Sequence, residues 1–560
     1  MGHSEIRETD IREADVVVVG AGSAGAALAA RLSEDASRRV LLIEAGRDTA
    51  PGEVPADIRN IFPAAYINSD YFWTGLATSF RKGEAPVPFL QPRVMGMIAL
   101  RGLPSDFDAW EQMGARNWGW RDVLPTFQAM TDDRDAAMPG RNVRGPNIVR
   151  RLPRASWPTY MHRIEEVLMA QGVPSHANAY ETDDDGFFQT PLSQDYERAT
   201  SARCYLTAET RARPNLEILC ETRVLRILFD GQRATGIVAE RAGAQKTIAA
   251  REVVISAGGI HSPAVLLRSG IGPAEDLRKL GIAVIADRRG VGRNYQNHPQ
   301  LHFAMPLKPG TRLATSAQHY IMTGHRFSSG LPGCSPGDLF HYYTGRVSTR
   351  SFGPRMAMVA ACLYTPVSRG SVALRSADPT VPPVVEQCLL ADPLDAKRMI
   401  MSVRRAERLL LEPTVRRCFE EIYLMPRQAP LKLINGTGLP GFAKAAGATA
   451  VLLAPSSVRR AVIGAAIKPG RLVAGETTIW PISDEEILDA TGASFHPTST
   501  CALGAESDPM AVVDPYCRVY GVQGLRVADA SVMPKIVTAN TNMPTIMIAE
   551  RVAEFMRTAH

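Results

Sequence analysis

Near its start the chain reads Gly20-Ala-Gly-Ser-Ala-Gly25, three glycines spaced G-x-G-x-x-G. Each glycine has a use at a phosphate site. Gly20 permits a tight turn, Gly22 lets the backbone approach a pyrophosphate, and Gly25 lets a helix pack closely on a strand. The free N–H groups and positive dipole end of that helix would then hold the phosphates. Glu44 follows nineteen residues after Gly25, where a carboxylate accepts hydrogen bonds from both ribose hydroxyls. The same charge repels a 2′-phosphate and so disfavours NADP. The motif does not separate NAD from FAD. A proton acceptor working near neutral pH would be a second chemical element. Histidine, with an ordinary pKa of about 6.5, suits that task, and the chain has eleven.

The elements around these residues support the reading. Asp15 to Val19 is a continuous apolar run, as a strand buried on both faces requires. A small-residue helix is predicted over Ala26 to Ser33 and a strand over Val40 to Glu44, completing a β-α-β unit. Further strands are predicted at Leu216 to Leu219, Val253 to Ser256 and Leu525 to Ala528, with a helix over Met543 to Arg557. In the middle, Met356 to Tyr364, Ser371 to Leu374 and Val384 to Leu389 predict strands of a separate sheet, and Pro393 to Leu411 a long helix. This is the pattern of a substrate domain inserted into a nucleotide-binding domain. Residues 428–480, rich in Ala, Gly and Pro, are open to three readings: a lid, a surface hairpin or irregular packing.

Composition bounds the answer. At 560 residues the chain exceeds the size of a single core, so two domains are expected. Hydrophobic residues at 45% and charged residues at 21% exclude wholesale disorder. The net charge of +6 is dispersed, and the basic cluster from Arg141 to Arg154 reads as solvated surface, so nucleic acid is not an expected partner. Eight cysteines lack a CxxC pair or metal-ligand spacing; no metal and a reduced cytoplasmic protein are expected. Met1 to Glu13 has no apolar signal core. The nearest approach to a membrane span, Ala445 to Ile467, is interrupted by Pro455, Arg459 and Arg460.

Five stretches, in order, give the chain a resemblance. They are Gly20 to Gly46, Arg101-Gly-Leu-Pro-Ser-Asp-Phe-Asp-Ala-Trp110, Ala257 to Pro273, Gly290-Val-Gly-Arg-Asn-Tyr-Gln-Asn-His-Pro299, and Val527 to Pro534 with Asn540-Thr-Asn-Met-Pro-Thr545. Together they resemble the glucose-methanol-choline (GMC) oxidoreductase family, over nearly the whole chain, and within it the bacterial enzymes that oxidise aryl or furanic primary alcohols. The resemblance implies an α/β fold with a discontinuous Rossmann-like FAD-binding domain over residues 1–156, 205–300 and 493–560. An inserted α+β substrate domain on an antiparallel sheet would occupy 157–204 and 301–492. It implies non-covalent FAD, a small alcohol as substrate, and oxygen or another acceptor for the electrons.

The resemblance also assigns roles. His496, in Phe495-His-Pro-Thr-Ser-Thr-Cys501, matches the family's active-site histidine and would take the hydroxyl proton. Asn540 occupies the position where the family carries His or Asn and would hydrogen-bond the substrate oxygen. Cofactor contacts are implied at Gly20, Gly22, Ser23, Ala24, Gly25, Glu44, Ala45, Trp73, Ala257 and Gly258. Val224 would meet the adenine, Asp529 and Ala530 the ribityl-pyrophosphate region, and Asn542 and Thr545 the pyrimidine edge. For His298, a place near the flavin and a loop-stabilising role stand equally, while His261 reads as structural. Phe72 and Trp73 are candidates for the pocket wall.

Two departures stand out. Between Pro92 and Arg101 the chain reads Arg93-Val-Met-Gly-Met-Ile-Ala-Leu100, where relatives carry a Gly/Ser-rich run that offers polar groups to the flavin ring. Only Gly96 remains of it. Ser499 stands where a glycine usually precedes the Thr of the histidine motif. Beside the alcohol-oxidising reading are therefore a silent GMC-fold protein with impaired FAD binding and a non-redox or light-driven relative.

Overall fold

The computed structural model describes residues 13–93, 96–135, 145–180, 183–314, 319–427, 438–468, 470–475 and 478–558. The apolar run near the N-terminus forms the strand Ala14–Val19, flanked in parallel by Val40–Ile43 on one side and the end of Ala244–Ile255 on the other. Leu216–Leu219 and Leu525–Val527 extend this parallel layer outward. Valine and isoleucine suit such a strand because β-branched side chains pack well on a pleated surface covered on both sides. The strand Ala244–Ile255 is twelve residues long, and only its last part lies in the parallel layer. Its first half pairs antiparallel with Arg233–Arg241, which pairs in turn with Arg223–Asp230. Sequence reading anticipated only the C-terminal end of this unit.

The loops leaving the carboxyl ends of the parallel strands carry Gly20, Glu44, Thr222, Ala257 and Asp529. Backbone hydrogen bonds tie those ends together: Gly20 N–H donates to Ile43 O, Glu44 N–H to Leu219 O, Ser256 N–H to Val19 O and Ala528 N–H to Ile255 O. In open α/β sheets this edge is where ligands bind. Helix Ser23–Leu32 begins three residues earlier than the sequence suggested and packs against the C-terminal helix Asn542–Thr558.

The second large sheet has nine strands, with Pro299–Pro306, Met356–Leu363, Leu339–Thr344 and Ile321–Phe327 adjacent and antiparallel. Alternation divides its faces. Leu301, Phe303 and Met305 join Val359 and Ala361 in a core with Met399 and Val403 of helix Pro393–Leu411. On the opposite face lie Gln300, Tyr342 and, just past the strand end, Tyr364, all bordering the cavity described below. Further along that face, Ala304 and Met358 lie beneath a helical hairpin, Gly438–Leu453 and Ser456–Ala466.

Two expectations need correction. Ser371–Ala373 and Val384–Glu386 do not join Met356–Leu363; they form a small separate sheet with Ala77–Ser79 and Val87–Pro88. Short strands with weak alternation carry no information about their partners. Of residues 428–480, positions 428–437, 469, 476 and 477 lie outside the described residues; 438–466 form a helical hairpin, so that of the three open readings irregular packing does not hold there.

Candidate active site

A cavity of about 370 Å³ lies between the two large sheets, within the range of small-molecule sites. Its nucleotide end is built on the glycine loop. Gly20 has φ +100°, and a Cβ there would meet Ser256 O at 2.5 Å. A Cβ on Gly25 would lie 1.7 Å from Gly20 O, so the helix approaches the loop as closely as backbone permits. Gly25 does not itself line the cavity. Gly22 and Gly258 are different: a Cβ on either meets nothing within 4 Å and would project into open space.

Three helix N-termini converge on this end, at Ser23, Gly258 and Asn542. The first has Gly22 as its N-cap and no side-chain cap, leaving N–H groups for an anion. Asn542 is bound to the same turn, its Oδ1 accepting from Ser23 Oγ at 2.6 Å. Asp529 organises the second helix start, accepting from Gly258 N–H at 2.8 Å and Ser262 Oγ at 2.5 Å. Glu44 accepts from Ala21 N–H and Gly46 N–H at 2.8 and 2.7 Å, which fixes its carboxylate at the cavity wall.

Ala24, Ala45, Trp73, Val224, Ala257, Ala530 and Thr545 also line the cavity, whereas Phe72 is buried against Pro92. His261, read from sequence as structural, lines it too. Its ring lies 4.1 Å from that of Trp73, which sits beneath the Arg93 guanidinium. Burial, with Arg268, Arg223 and Arg93 nearby, pushes His261 down to about 3. Its buried Nε2 has no hydrogen-bond partner among the described residues. Of the shortened 93–101 segment, Gly96 and Ile98 reach the cavity, and the Gly96 carbonyl is held by Arg198 at 3.2 Å; Val94 and Met95 lie outside the described residues. The donors, the open glycine faces and the unpartnered imidazole fit a dinucleotide.

The other end is aromatic, with Tyr66, Tyr320, Tyr342, Tyr364 and Phe495 on its walls. His496 and Asn540 meet here, Nε2 to Nδ2 at 3.1 Å. His496 Nδ1 lies 2.9 Å from His298 Nδ1, and His298 Nε2 lies 3.0 Å from Val537 O. A carbonyl can only accept, so His298 carries its proton on Nε2 and presents a lone pair at Nδ1. His496 must therefore donate from Nδ1, which leaves Nε2 as a base facing the cavity. Burial keeps both rings neutral, with His496 pushed down to about 4 and His298 well below its ordinary range. On Asn540, Tyr364 OH donates to Oδ1 at 3.1 Å, which turns Nδ2 towards His496.

The backbone beside His496 is strained: Phe495 has φ +60° and Ser499 φ +72°, a region L side chains enter at a cost. A Cβ on Gly259 would lie 2.3 Å from Pro497 O, so the histidine loop is pressed against the helix that starts at Gly258. The aromatic wall and the Tyr364 hydrogen bond were not legible in the sequence. No local pattern marks a tyrosine just beyond a strand as facing a histidine on a distant loop.

A doubly wound parallel sheet with a dinucleotide cradle, opening onto a neutral histidine base, defines an oxidoreductase fold of the nucleotide-binding class. The family description GMC oxidoreductase matches residues 93–300 and 366–549. The chain belongs to the GMC oxidoreductases, FAD-dependent enzymes acting on CH–OH donors. It is 35% identical to 5-(hydroxymethyl)furfural oxidase of Methylovorus sp., covering 97% of this chain and 98% of that one. It is 30% identical to the mitochondrial choline dehydrogenase of Homo sapiens, covering 97% and 90%. Among solved structures, pyridoxine 4-oxidase from Mesorbium loti superposes with a TM-score of 0.77 at 25% identity, covering 98% of this chain and all of that one.

Proposed function

We propose that this enzyme oxidises the primary hydroxyl of a small, neutral aryl or furanic alcohol to the aldehyde, with oxygen or another acceptor taking the electrons. The observation that carries the proposal is the hydrogen-bond chain from Val537 O through His298 and His496 to Asn540 and Tyr364. An alcohol entering beside this pair replaces the 3.1 Å contact between Asn540 Nδ2 and His496 Nε2, donating its proton to the imidazole while its oxygen accepts from the amide N–H. Proton removal raises electron density on the carbinol carbon and weakens its C–H bond. Bound FAD supplies the hydride acceptor. Gly20, Gly22, Ser23, Glu44, Gly258 and Asp529 would hold its nucleotide end, with Val224 against the adenine and Asn542 and Thr545 towards the flavin. His496 holds the proton once it has left the alcohol.

Substrate class follows from the walls. The carboxylates lining the cavity are Glu44 and Asp529, both at the nucleotide end. The aromatic end offers flat rings and Gln300 instead, so a neutral planar substrate stacks there without a buried charge left unpaired. A screen of hydroxymethylfurfural, benzyl alcohol and choline, read by anaerobic bleaching of the flavin and then by peroxide or dye reduction, tests this. Preference for choline over both aromatic alcohols would refute the substrate assignment.

A further inference from the structure

The helical hairpin Gly438–Leu453 and Ser456–Ala466 has no part in the chemistry above. A surface helix normally shows polar residues outward, whereas the first helix of this pair turns a largely apolar stripe outward. On the first helix Leu439 is 86% exposed, Phe442 62% and Leu453 62%. With Ala443, Ala446 and Ala450, also exposed, they form an outward apolar stripe at helical spacing. The inward stripe, Ala445 and Leu452, is apolar as well and packs on Ala304, Phe352 and Met358 of the sheet domain. On the second helix Val458 and Val462 are exposed. Ile479 and Trp480 are also exposed, and Trp480 lies near Arg460 across Gly475. Isolated exposed apolar residues are ordinary; a contiguous set on two adjacent helices marks an interaction surface.

Charge selects the partner. From Ile422 to Gly475 the chain contains no Asp or Glu but seven Lys or Arg, although it carries 57 acidic residues overall. Lys444, Arg460 and Lys468 on the hairpin have no acidic partner among the described residues. Apolar side chains rimmed by unpaired cations suit an anionic interface, with the apolar stripe entering the acyl boundary and the cations meeting phosphates. No described helix is long and apolar enough to cross a membrane, so the contact is peripheral. We propose that this hairpin docks the enzyme on the surface of an anionic phospholipid bilayer. It sits on the same sheet face as the aromatic end of the cavity. Gln300 lines the cavity and Ala304 lies beneath the hairpin, four residues apart and so about 13 Å along one strand. Docking therefore holds the alcohol end of the site close to the lipid surface.

The test is flotation of the full-length, FAD-loaded protein with vesicles of equimolar phosphatidylcholine and phosphatidylglycerol, against vesicles of phosphatidylcholine alone. Binding is expected to the first and not the second. A Phe442→Asp, Leu453→Asp double variant should weaken it by about tenfold or more, with flavin absorbance and melting temperature unchanged because both side chains are exposed. A Lys444→Glu, Lys468→Glu variant should lose the preference for the anionic vesicles. No flotation, equal binding to phosphatidylcholine alone, or a double variant that binds like the parent would overturn the proposal. So would a parent that is dimeric by sedimentation equilibrium, made monomeric by the double variant and never vesicle-bound.

Discussion

Tyr364→Phe is the sharpest perturbation of the proposed mechanism, because it removes one hydroxyl and nothing else. The ring stacks on His298 at 4.4 Å and on Phe340 at 4.8 Å, contacts that phenylalanine keeps. What is lost is the donor to Asn540 Oδ1 at 3.1 Å. The amide is then free to rotate and present its oxygen, rather than its N–H, to His496 and the substrate. A neutral buried hydrogen bond contributes about 1 kcal/mol, which corresponds to roughly a fivefold change in rate. Flavin reduction by saturating alcohol, followed anaerobically by stopped flow, should slow by about that factor with KM little changed. In an Asn540→Ala background the same substitution should have almost no effect, since the group it orients is gone. Full additivity of the two substitutions, or unaltered reduction in the single variant, would refute the positioning role.

Other outcomes follow from the same geometry. His496→Ala should lower the anaerobic reduction rate by about 10²- to 10⁴-fold while the yellow colour persists; near-normal reduction would remove His496 as the base. Gly22→Val should yield a folded but colourless protein, because its side chain would fill the open space at the glycine turn, and retention of stoichiometric flavin would contradict that. His298, His325 and His341 are buried and held below their ordinary range by burial, His341 at about 3. Their unfolded pKa is higher than their folded one, so the stability they contribute is complete above about pH 6.5 and is lost as pH falls. For His341, at about 3 when folded against about 6.5 unfolded, the loss at about pH 5 is about 2 kcal/mol, and an unchanged urea midpoint between neutral pH and pH 5 would contradict it.

Much of the nucleotide end was legible because its determinants are local. Gly20, Gly22, Gly25 and Glu44 lie on one β-α-β unit, where backbone geometry leaves few choices. His496 and Asn540 were reached through their motifs, and the structure brings them within 3.1 Å. What sequence could not supply was anything depending on how one sheet faces another: Tyr364 on Asn540, His298 on His496, and the tyrosine wall. His298, open from sequence to two roles, bonds His496 directly. The small sheet joining Ala77–Ser79 to Val384–Glu386 was missed for the same reason. These two strands are three residues long and separated by some three hundred positions. Ser499, by contrast, was flagged from sequence and does occupy the left-handed region that a glycine would favour.

The hydrogen bond between Ser23 and Asn542 joins residues 519 positions apart, and Gly258 depends on Asp529 in the same way. During synthesis the glycine turn therefore emerges some five hundred residues before the helix that completes its phosphate cradle. The strand and turn made early must wait for those later residues before the cradle can close. Cofactor capture is thereby tied to the seventeen-residue helix Asn542–Thr558, which acts as the latch that licenses it. A nascent chain released short of that helix would carry every recognisable nucleotide motif and still have no finished place for the nucleotide.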